Sequence, residues 1–480
     1  MANKFYITTS IAYTNAEPHI GYALELSQAD VLARYHRLLG EDVYFLTGTD
    51  EHGTKIERAA AQAGKNPQEF VDAIAGRFKD LTKALGISNS DFIRTTDKER
   101  HWPGVEKIWR TLQGKGALYE KEYEGLYCVG HEAFINKSEL EGGFCPIHKT
   151  EPESIKEKNL FFRLSDYKNE VRDRIERGEL KIIPESRKNE VLNLFSEAED
   201  VSFSRPVDKL TWGIPVPGNS SQTIYVWADA LTNYISALGY GRNEKLLSSY
   251  WPSDVHLIGK DILRFHAMIW PAMLLAAELS LPKAIYVHGF ITSEGQKMSK
   301  SLGNVIDPFS IIEKYGAEVI RYFLLREIPS GDDGDFSVKS LEERYNGDLA
   351  NGLGNLTARV FTLVEKEKFQ EGFIIDELVL GKIKEARITV EQKINEFKLH
   401  EALAIIWNLI SFGDGYINEH QVWKTKDKKV LTSLIVLLDN IAYLLSPFLP
   451  ETAKKITDSI EWHDGTLIVK KGGNLFPRLT

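Results

Sequence analysis

Two short segments far apart in the chain, His19-Ile20-Gly21-Tyr22 and Lys297-Met298-Ser299-Lys300-Ser301, carry the residue types that hold and polarise phosphate. Gly21 lets backbone approach a ligand closely, and a helix start offers unpaired N–H groups and a dipole that favours an anion. His19 adds a donor, Lys297 and Lys300 add mobile point charges, and Ser299 and Ser301 add small hydroxyls. Each segment alone is more often a capped helix or a solvated basic turn, because short motifs recur by accident. Found together and in this order, they favour nucleotide chemistry.

A second constellation uses every cysteine in the chain. Cys128-Val-Gly-His131 and Cys145-Pro-Ile-His148 are two pairs of equal internal spacing with thirteen residues between them. Two such knuckles suit tetrahedral zinc with two sulfur and two nitrogen ligands, and with all four positions filled the role is structural. The alternative is a pair of unrelated buried thiols with surface histidines.

These residues need a scaffold, and the hydrophobic pattern supplies one. Residues 5–9 read as a buried strand, and a helix follows from about Ile20 to Leu39, with Leu24, Val31, Leu32, Tyr35, Leu38 and Leu39 at helical spacing. Gly40 ends it and Val43-Tyr44-Phe45-Leu46-Thr47 is a second strand. Strand, helix, strand is a right-handed parallel unit with ligands beyond the strand C-termini. No GxGxxG pattern is present, which argues against a nicotinamide-type site. The alternation returns at Val255–Gly259 and at Ile285–Gly289. The expected fold is therefore α/β, a Rossmann-type parallel sheet split by a zinc-bearing insertion and followed by an all-α helical-bundle domain. The predicted boundaries are 1–115 and 225–290 for the two catalytic halves, 116–224 for the connective insertion, 291–344 for the lysine loop and stem-contact region, and 345–480 for the helical domain.

With 480 residues, 43% hydrophobic and 26% charged, the chain has the composition of an ordinary globular protein of about three domains. A net charge of −9 does not advertise a nucleic-acid binder, so any RNA contact requires basic residues segregated on one face. Two cysteines exclude a disulfide framework and fit a reducing cytoplasm. The N-terminus lacks the apolar core of a signal peptide. The most apolar stretch, 431–450, is broken by Asp439, Asn440 and Ser446-Pro447 and reads as a bundle helix rather than a membrane span.

Taken together, the two nucleotide segments, Phe45-Leu46-Thr47-Gly48-Thr49-Asp50-Glu51-His52-Gly53, Trp212-Gly213-Ile214-Pro215-Val216-Pro217, Tyr225-Val226-Trp227-Ala228-Asp229-Ala230 and Gly259-Lys260-Asp261-Ile262 resemble bacterial-type methionyl-tRNA synthetases of class I. The resemblance runs along nearly the whole chain, to Leu475-Phe476-Pro477-Arg478. It implies ATP-dependent activation of L-methionine to methionyl-adenylate, with pyrophosphate released, then transfer to tRNA(Met) with release of AMP. Magnesium accompanies ATP. His19, Tyr22, Lys297 and Lys300 are the implied catalytic residues. The implied ATP contacts are His19, Gly21, Tyr22, Glu25, Gly259, Asp261, His288, Lys297, Ser299 and Lys300. Tyr22 stands where the family usually has a second histidine. A phenol still donates a hydrogen bond but is larger and is not cationic at neutral pH.

The resemblance places methionine near Ile11, Tyr13, Trp227, Ala230, Tyr234, Ile262 and His266, with Asp50 receiving its ammonium and Arg205 beside that acid. A thioether is polarizable and favours aromatic edges, and a buried carboxylate is the expected partner of an ammonium. Leu231 stands where some relatives carry proline. An apolar pocket separates analogues differing by one methyl by only about 1–3 kcal/mol, so homocysteine is an expected competitor. The insertion is too short for the editing domain of branched-amino-acid relatives.

In the helical part, Asn355 and Arg359 lie four apart on one helix face and match anticodon-bonding positions of the family. Trp423 matches an aromatic that stacks an anticodon base. Asp414 replaces the usual asparagine there and Val422 the usual proline. Lys424, Lys426, Lys428 and Lys429 are either RNA-backbone contacts or a solvated face. A monomer, or an α-subunit with a separate tRNA-binding partner, is expected. Competing readings are a leucine or cysteine class I synthetase and a non-catalytic RNA-binding paralogue. The missing editing insertion argues against the leucine enzyme, and the lack of a thiol-binding zinc in the catalytic half against the cysteine enzyme. A paralogue needs damaged ATP motifs, to which Tyr22 alone points.

Overall fold

The computed structural model describes residues 3–479 apart from 131–132, 136, 138–139, 148, 299–302, 366, 368, 371–373, 464–465 and 471–472. At residues 133–134, 297, 370, 462–463 and 466–467 it describes the backbone alone. The chain divides into two compact units, one of Met1–Pro18, Gly40–Lys83 and Ser88–His288, the other of His19–Leu39, Ala84–Ile87 and Gly289–Thr480.

The first unit is built on a seven-stranded sheet in which every described pairing is parallel. Its order is Ala12–Tyr13, Asp42–Asp50, Lys4–Thr9, Val255–Gly259, Ala284–His288, Lys181–Ile183, with Asp91–Arg94 also paired to Asp42–Asp50. Val255–Gly259 and Ala284–His288 are buried at every position, as parallel strands covered on both faces must be. Lys4–Thr9 pairs with Asp42–Asp50 on one side and with the far later Val255–Gly259 on the other. Strand order reverses there, and the crevice beyond the carboxyl ends of those strands is where ligands bind in open α/β sheets.

The inserted region forms an antiparallel sheet of order Ala133–Ile135, Leu118–Cys128, Glu153–Phe162, Val201–Ser202, and a smaller one of Ser204–Pro206, Asn219–Ile224 and Pro215–Val216. It also sends Lys181–Ile183 into the main sheet, parallel to Ala284–His288. Phe162 and Phe203 stack with centroids 4.7 Å apart, and Trp109 and Trp270 are fully buried in the same apolar cluster.

In the second unit the helix Ile20–Leu38 packs on the helix Ala317–Glu327. Asp30 and Arg321, both fully buried, form an ion pair at 2.8 Å. Arg321 also donates to the carbonyls of Phe448 and Pro447 at 3.0 and 3.2 Å, and Arg34 Nε donates to Asp30 at 2.7 Å. A buried pair is tolerated when its remaining donors and acceptors are satisfied in this way. The helices Glu377–Asn395, Leu399–Glu419, Lys428–Leu445 and Pro450–Thr457 follow. The expectation of an all-α domain needs one correction: Phe369–Gln370, Thr466–Val469 and Ile460–His463 pair into a small antiparallel sheet. Strands of two to four residues are too short to leave a period-two signal. Among the described residues no helix is long and apolar enough to cross a membrane.

Candidate active site

Several sequence-predicted residues gather at the carboxyl ends of the parallel strands in the first unit. Tyr13 is the register partner of Asp50, the last residue of its strand, and both the N–H and the hydroxyl of Thr14 donate to the Asp50 carbonyl at 3.0 Å. The Asp50 side chain is held in a buried setting, 8% exposed. Two strands away, Gly259 pairs in register with His288. A Cβ at Gly259 would lie 2.8 Å from Oδ1 of Asp261, so glycine is what allows that carboxylate to fold back over the strand end.

The residues predicted to wall an amino-acid side chain form a connected set. The Tyr234 hydroxyl lies 2.7 Å from Nε2 of His266, whose Nδ1 is 3.0 Å from the Ile262 carbonyl. With Nδ1–H given to that carbonyl, Nε2 is the acceptor for Tyr234, which fixes a neutral ring. Burial lowers the His266 pKa to about 4. The Trp227 ring stands edge-on to His266 at 6.3 Å. Ile11, Tyr13, Trp227 and Ile262 pack, half-buried, on the cluster that holds Tyr234, and Ala230 is buried at the end of the short helix Val226–Ala230. Sequence reasoning missed Phe265, which stacks on Trp227 at 3.8 Å with an interplanar angle of 6°. Its only signal was its place beside His266.

Arg205 is held by the inserted sheet. Its guanidinium makes a bidentate pair with Glu157 of the inserted sheet, at 2.8 and 2.7 Å, and lies 4.1 Å from the Tyr127 ring centroid. The acid in this bidentate pair is Glu157, a partner the family reading did not name. One linear motif does not reveal a partner on a neighbouring strand.

A polar network behind the pocket was also missed. Both oxygens of Asp229 are engaged, by His52 Nδ1 and by His101 Nε2, each at 2.7 Å, and His101 Nδ1 is 2.8 Å from the Ser236 hydroxyl. All four residues are buried. Burial pushes the Asp229 carboxyl up, but the two imidazoles outweigh it and hold it below the usual carboxylate range. Beside it, buried Glu51 receives Arg94 in a bidentate pair at 2.7 and 2.8 Å. The turn just after Asp50 is thus tied, through His52, to the segment carrying Trp227 and Ala230. His52 and Asp229 sat in plain view in motifs whose neighbours drew the attention.

The remaining residues predicted to contact nucleotide, from His19 to Glu25 and from Lys297 to Ser301, belong to the second unit. His19 is the N-cap of the helix Ile20–Leu38 and its Nδ1 accepts from the Gly21 N–H at 3.1 Å. The neutral ring then carries its proton on Nε2, the donor form wanted for phosphate oxygen. A Cβ at Gly21 would sit 2.9 Å from His19 Cε1, so this cap requires glycine. Tyr22 and Glu25 are buried one turn on. The N–H of Ile20 donates to the carbonyl of Ile306 at 3.2 Å, which joins this helix start to the stretch after the lysine segment. Lys297 lies on the strand Gln296–Lys297, its side chain outside the described residues, as are Ser299, Lys300 and Ser301.

Cys128 and Cys145 are both fully buried in one small cluster with Ile135, and Lys149 N–H returns to the Cys145 carbonyl at 2.8 Å in a tight turn. His131 and His148 lie outside the described residues, and no metal-binding group is formed among the described ones. On the helix Asn355–Val364, Asn355 is exposed, and Arg359 is half-buried with Nη1 on Asp414 and Nη2 on Asn418, each at 2.7 Å. Trp423 is 49% exposed on the turn Val422–Thr425.

The family model described as tRNA synthetases class I (M) matches residues 5–152 and 135–361, and that of the anticodon-binding domain of tRNA ligase matches 376–471. The parallel sheet with ligand-type residues at its carboxyl ends, followed by that helical region, defines a class I aminoacyl-tRNA synthetase. The methionine–tRNA ligase of Caldanaerobacter subterraneus is 43% identical over 100% of this chain and 79% of its own length, and that of Brucella suis is 41% identical over 95% and 91%. The structure of Mycobacterium tuberculosis methionyl-tRNA synthetase in complex with methionyl-adenylate superposes with a TM-score of 0.93 at 36% identity, over 99% of this chain and 100% of that one. The chain belongs to the methionyl-tRNA synthetase family.

Proposed function

We infer that this chain ligates L-methionine to tRNA(Met) at the expense of ATP, through a methionyl-adenylate. What supports the reading is that the connected Trp227, His266 and Tyr234 set, the Tyr13–Asp50 pairing and the Gly259–His288 pairing with Asp261 all belong to one unit, whose parallel strands end at Asp50, Gly259 and His288. Asp50 receives the substrate ammonium, and the thioether lies against Trp227, Tyr13 and Tyr234. The methionine carboxylate oxygen attacks the α-phosphorus of ATP and the bond to the pyrophosphate oxygen breaks. A hydroxyl of the terminal adenosine of the tRNA then attacks the carbonyl carbon, AMP leaves, and the hydroxyl proton is lost to solvent or phosphate. Positioning and stabilisation of developing charge supply most of the catalysis in such a displacement. His19, Lys297 and Lys300 stabilise charge on the phosphates, Tyr22 and Glu25 adjoin them, Asp261 and Gly259 serve the ribose side, and magnesium travels with ATP.

The same reading gives Cys128, His131, Cys145 and His148 to one structural zinc. Two buried thiols sharing one cluster fit that donor set, and a zinc ion held by them would stabilise the fold of the knuckle. Asn355, Arg359 and Trp423 read the anticodon, and the proposed limits 1–115, 116–224, 225–290, 291–344 and 345–480 stand for the functional segments. A reduced thiol pair and a tRNA substrate suit the cytoplasm. Incubating the purified chain with ATP, magnesium, labelled methionine and a tRNA(Met) transcript should give methionyl-tRNA and AMP in equal amounts. Labelled adenylate without transfer to any transcript would contradict the reading.

A further inference from the structure

Asp229 stands where three elements of the pocket meet. It lies on the short helix Val226–Ala230, between Trp227 and Ala230. One carboxylate oxygen takes the Nδ1–H of His52, two residues beyond the strand end at Asp50, and the other takes the Nε2–H of His101, each at 2.7 Å. Neutral His101 then offers Nδ1 as an acceptor to the Ser236 hydroxyl at 2.8 Å. Ser236 shares the helix Asn233–Ser236 with Tyr234. His101 immediately precedes the helix Trp102–Gly114, which approaches Ser236 so closely that a Cβ at Gly104 would lie 2.8 Å from the serine Cβ.

None of these four polar residues is more than 2% exposed. Burial opposes an ionised Asp229, yet the two imidazoles hold its carboxyl below the usual range. Trp212 and Trp102 meet the His52 ring in edge contacts, with centroids 5.6 and 6.2 Å away. A buried network with its members satisfied is rigid and specifies one arrangement, because a slip leaves a polar group unpaired in a low dielectric. Among the described residues the carboxylate bonds these two imidazoles alone, so Asp229 acts on the pocket through its neighbours.

We propose that Asp229 is a positioning residue for amino-acid selection. Through His52 it fixes Trp227 and Ala230 against the strand end at Asp50, and through His101 and Ser236 it fixes the helix of Tyr234 to the same point. The ammonium contact and the thioether wall are thereby held at one spacing. The proposal rests on the reading of this pocket as the methionine site. Loosening the joint should weaken methionine binding and the preference over homocysteine together, and leave the Gly259–Asp261–His288 corner as it is. A purely structural Asp229 would lower the amount of folded, active enzyme and leave the constants of that enzyme unchanged.

The test uses the full chain and methionine-dependent pyrophosphate exchange, with active sites counted by adenylate formed in one turnover and with unfolding midpoints measured alongside. Asp229→Ala removes the joint. Asp229→Asn keeps its shape and one acceptor oxygen, and its amide N–H is accepted by an imidazole that changes tautomer. Ser236→Ala keeps the Cβ against Gly104 and removes only the hydroxyl, so it spares the fold if Asp229→Ala does not. Asp229→Ala should raise the KM for methionine about tenfold or more per active site, with the KM for ATP unchanged and the preference over homocysteine narrowed. Asp229→Asn should recover most of the loss, and Ser236→Ala should move the methionine constant in the same direction by less. An unaltered methionine KM in Ser236→Ala, or equal rises for methionine and ATP in Asp229→Ala, would overturn the proposal. If the unaltered chain shows no methionine-dependent exchange, it is the methionine reading that falls.

Discussion

The backbone N–H of Ile20 donates to the carbonyl of Ile306 at 3.2 Å. Ile306 lies five positions beyond Ser301, so the bond ties the turn that carries His19 and Gly21 to the far side of the lysine segment. The helix start beside His19 and the stretch after the lysine segment are therefore joined through backbone, which does not depend on side-chain identity. What each motif contributes then rests on local geometry, and Gly21 is its most exposed point of failure.

Gly21→Ala should slow methionine activation without harming the fold. The added carbon would stand 2.9 Å from His19 Cε1, so the imidazole must swing away and give up its bond from the Gly21 N–H. Loss of one hydrogen bond to a charged phosphate costs about 1.5–3 kcal/mol, or about tenfold or more in rate. Alanine is the better helix former by roughly 1 kcal/mol, so thermal unfolding should stay put or rise. Pyrophosphate exchange at the unaltered rate would show that the ring position does not matter.

Asp50→Asn keeps the shape of the side chain and removes its charge. The ammonium partner is lost, and the KM for methionine should rise about ten- to hundredfold with the KM for ATP little changed. Equal rises in both constants would mean that the strand end, rather than the ammonium contact, had been disturbed.

His266 makes stability depend on pH in a defined window. Burial lowers its pKa from 6.5 to about 4, so the folded protein prefers the neutral ring. Above pH 6.5 folded and unfolded states are both neutral there and the stability is fully present. As pH falls from 6.5 toward 4 the unfolded chain takes up a proton that the folded chain refuses, and stability declines. The loss approaches about 3 kcal/mol at the acid end. His266→Asn should flatten the fall of the unfolding midpoint across that window. An unchanged slope would place the acid sensitivity elsewhere.

Cys145→Ser tests the knuckle. The thiolate is lost from a buried position, and the protein should purify without zinc and become protease-sensitive near residues 128–148, while unaltered protein carries one equivalent by elemental analysis. Unaltered protein free of zinc would end the assignment.

Continuous buried runs made the parallel core readable in advance. The strand at Val255–Gly259 lies where its mostly apolar run, interrupted only by His256, put it, and the helix predicted from Ile20 to about Leu39 spans Ile20–Leu38. Lys181–Ile183 was invisible because three residues show no period, and only pairing with Ala284–His288 makes them part of the sheet. The aromatic wall was legible through motifs, but Phe265 was not, since a stacking partner is set by packing rather than spacing. The same holds for polar partners. That His52 and His101 would share Asp229, and that Arg205 would take Glu157, depends on contacts between segments distant in sequence.

The central claim is that this pocket selects methionine and joins it to adenylate. Exchange of labelled pyrophosphate into ATP, measured with each of the twenty amino acids and with homocysteine in turn, tests it most directly. Methionine should drive exchange strongly, homocysteine should follow more weakly, and leucine and cysteine should stay near background. Exchange driven by leucine or cysteine above methionine, or no exchange with any amino acid, would contradict the account.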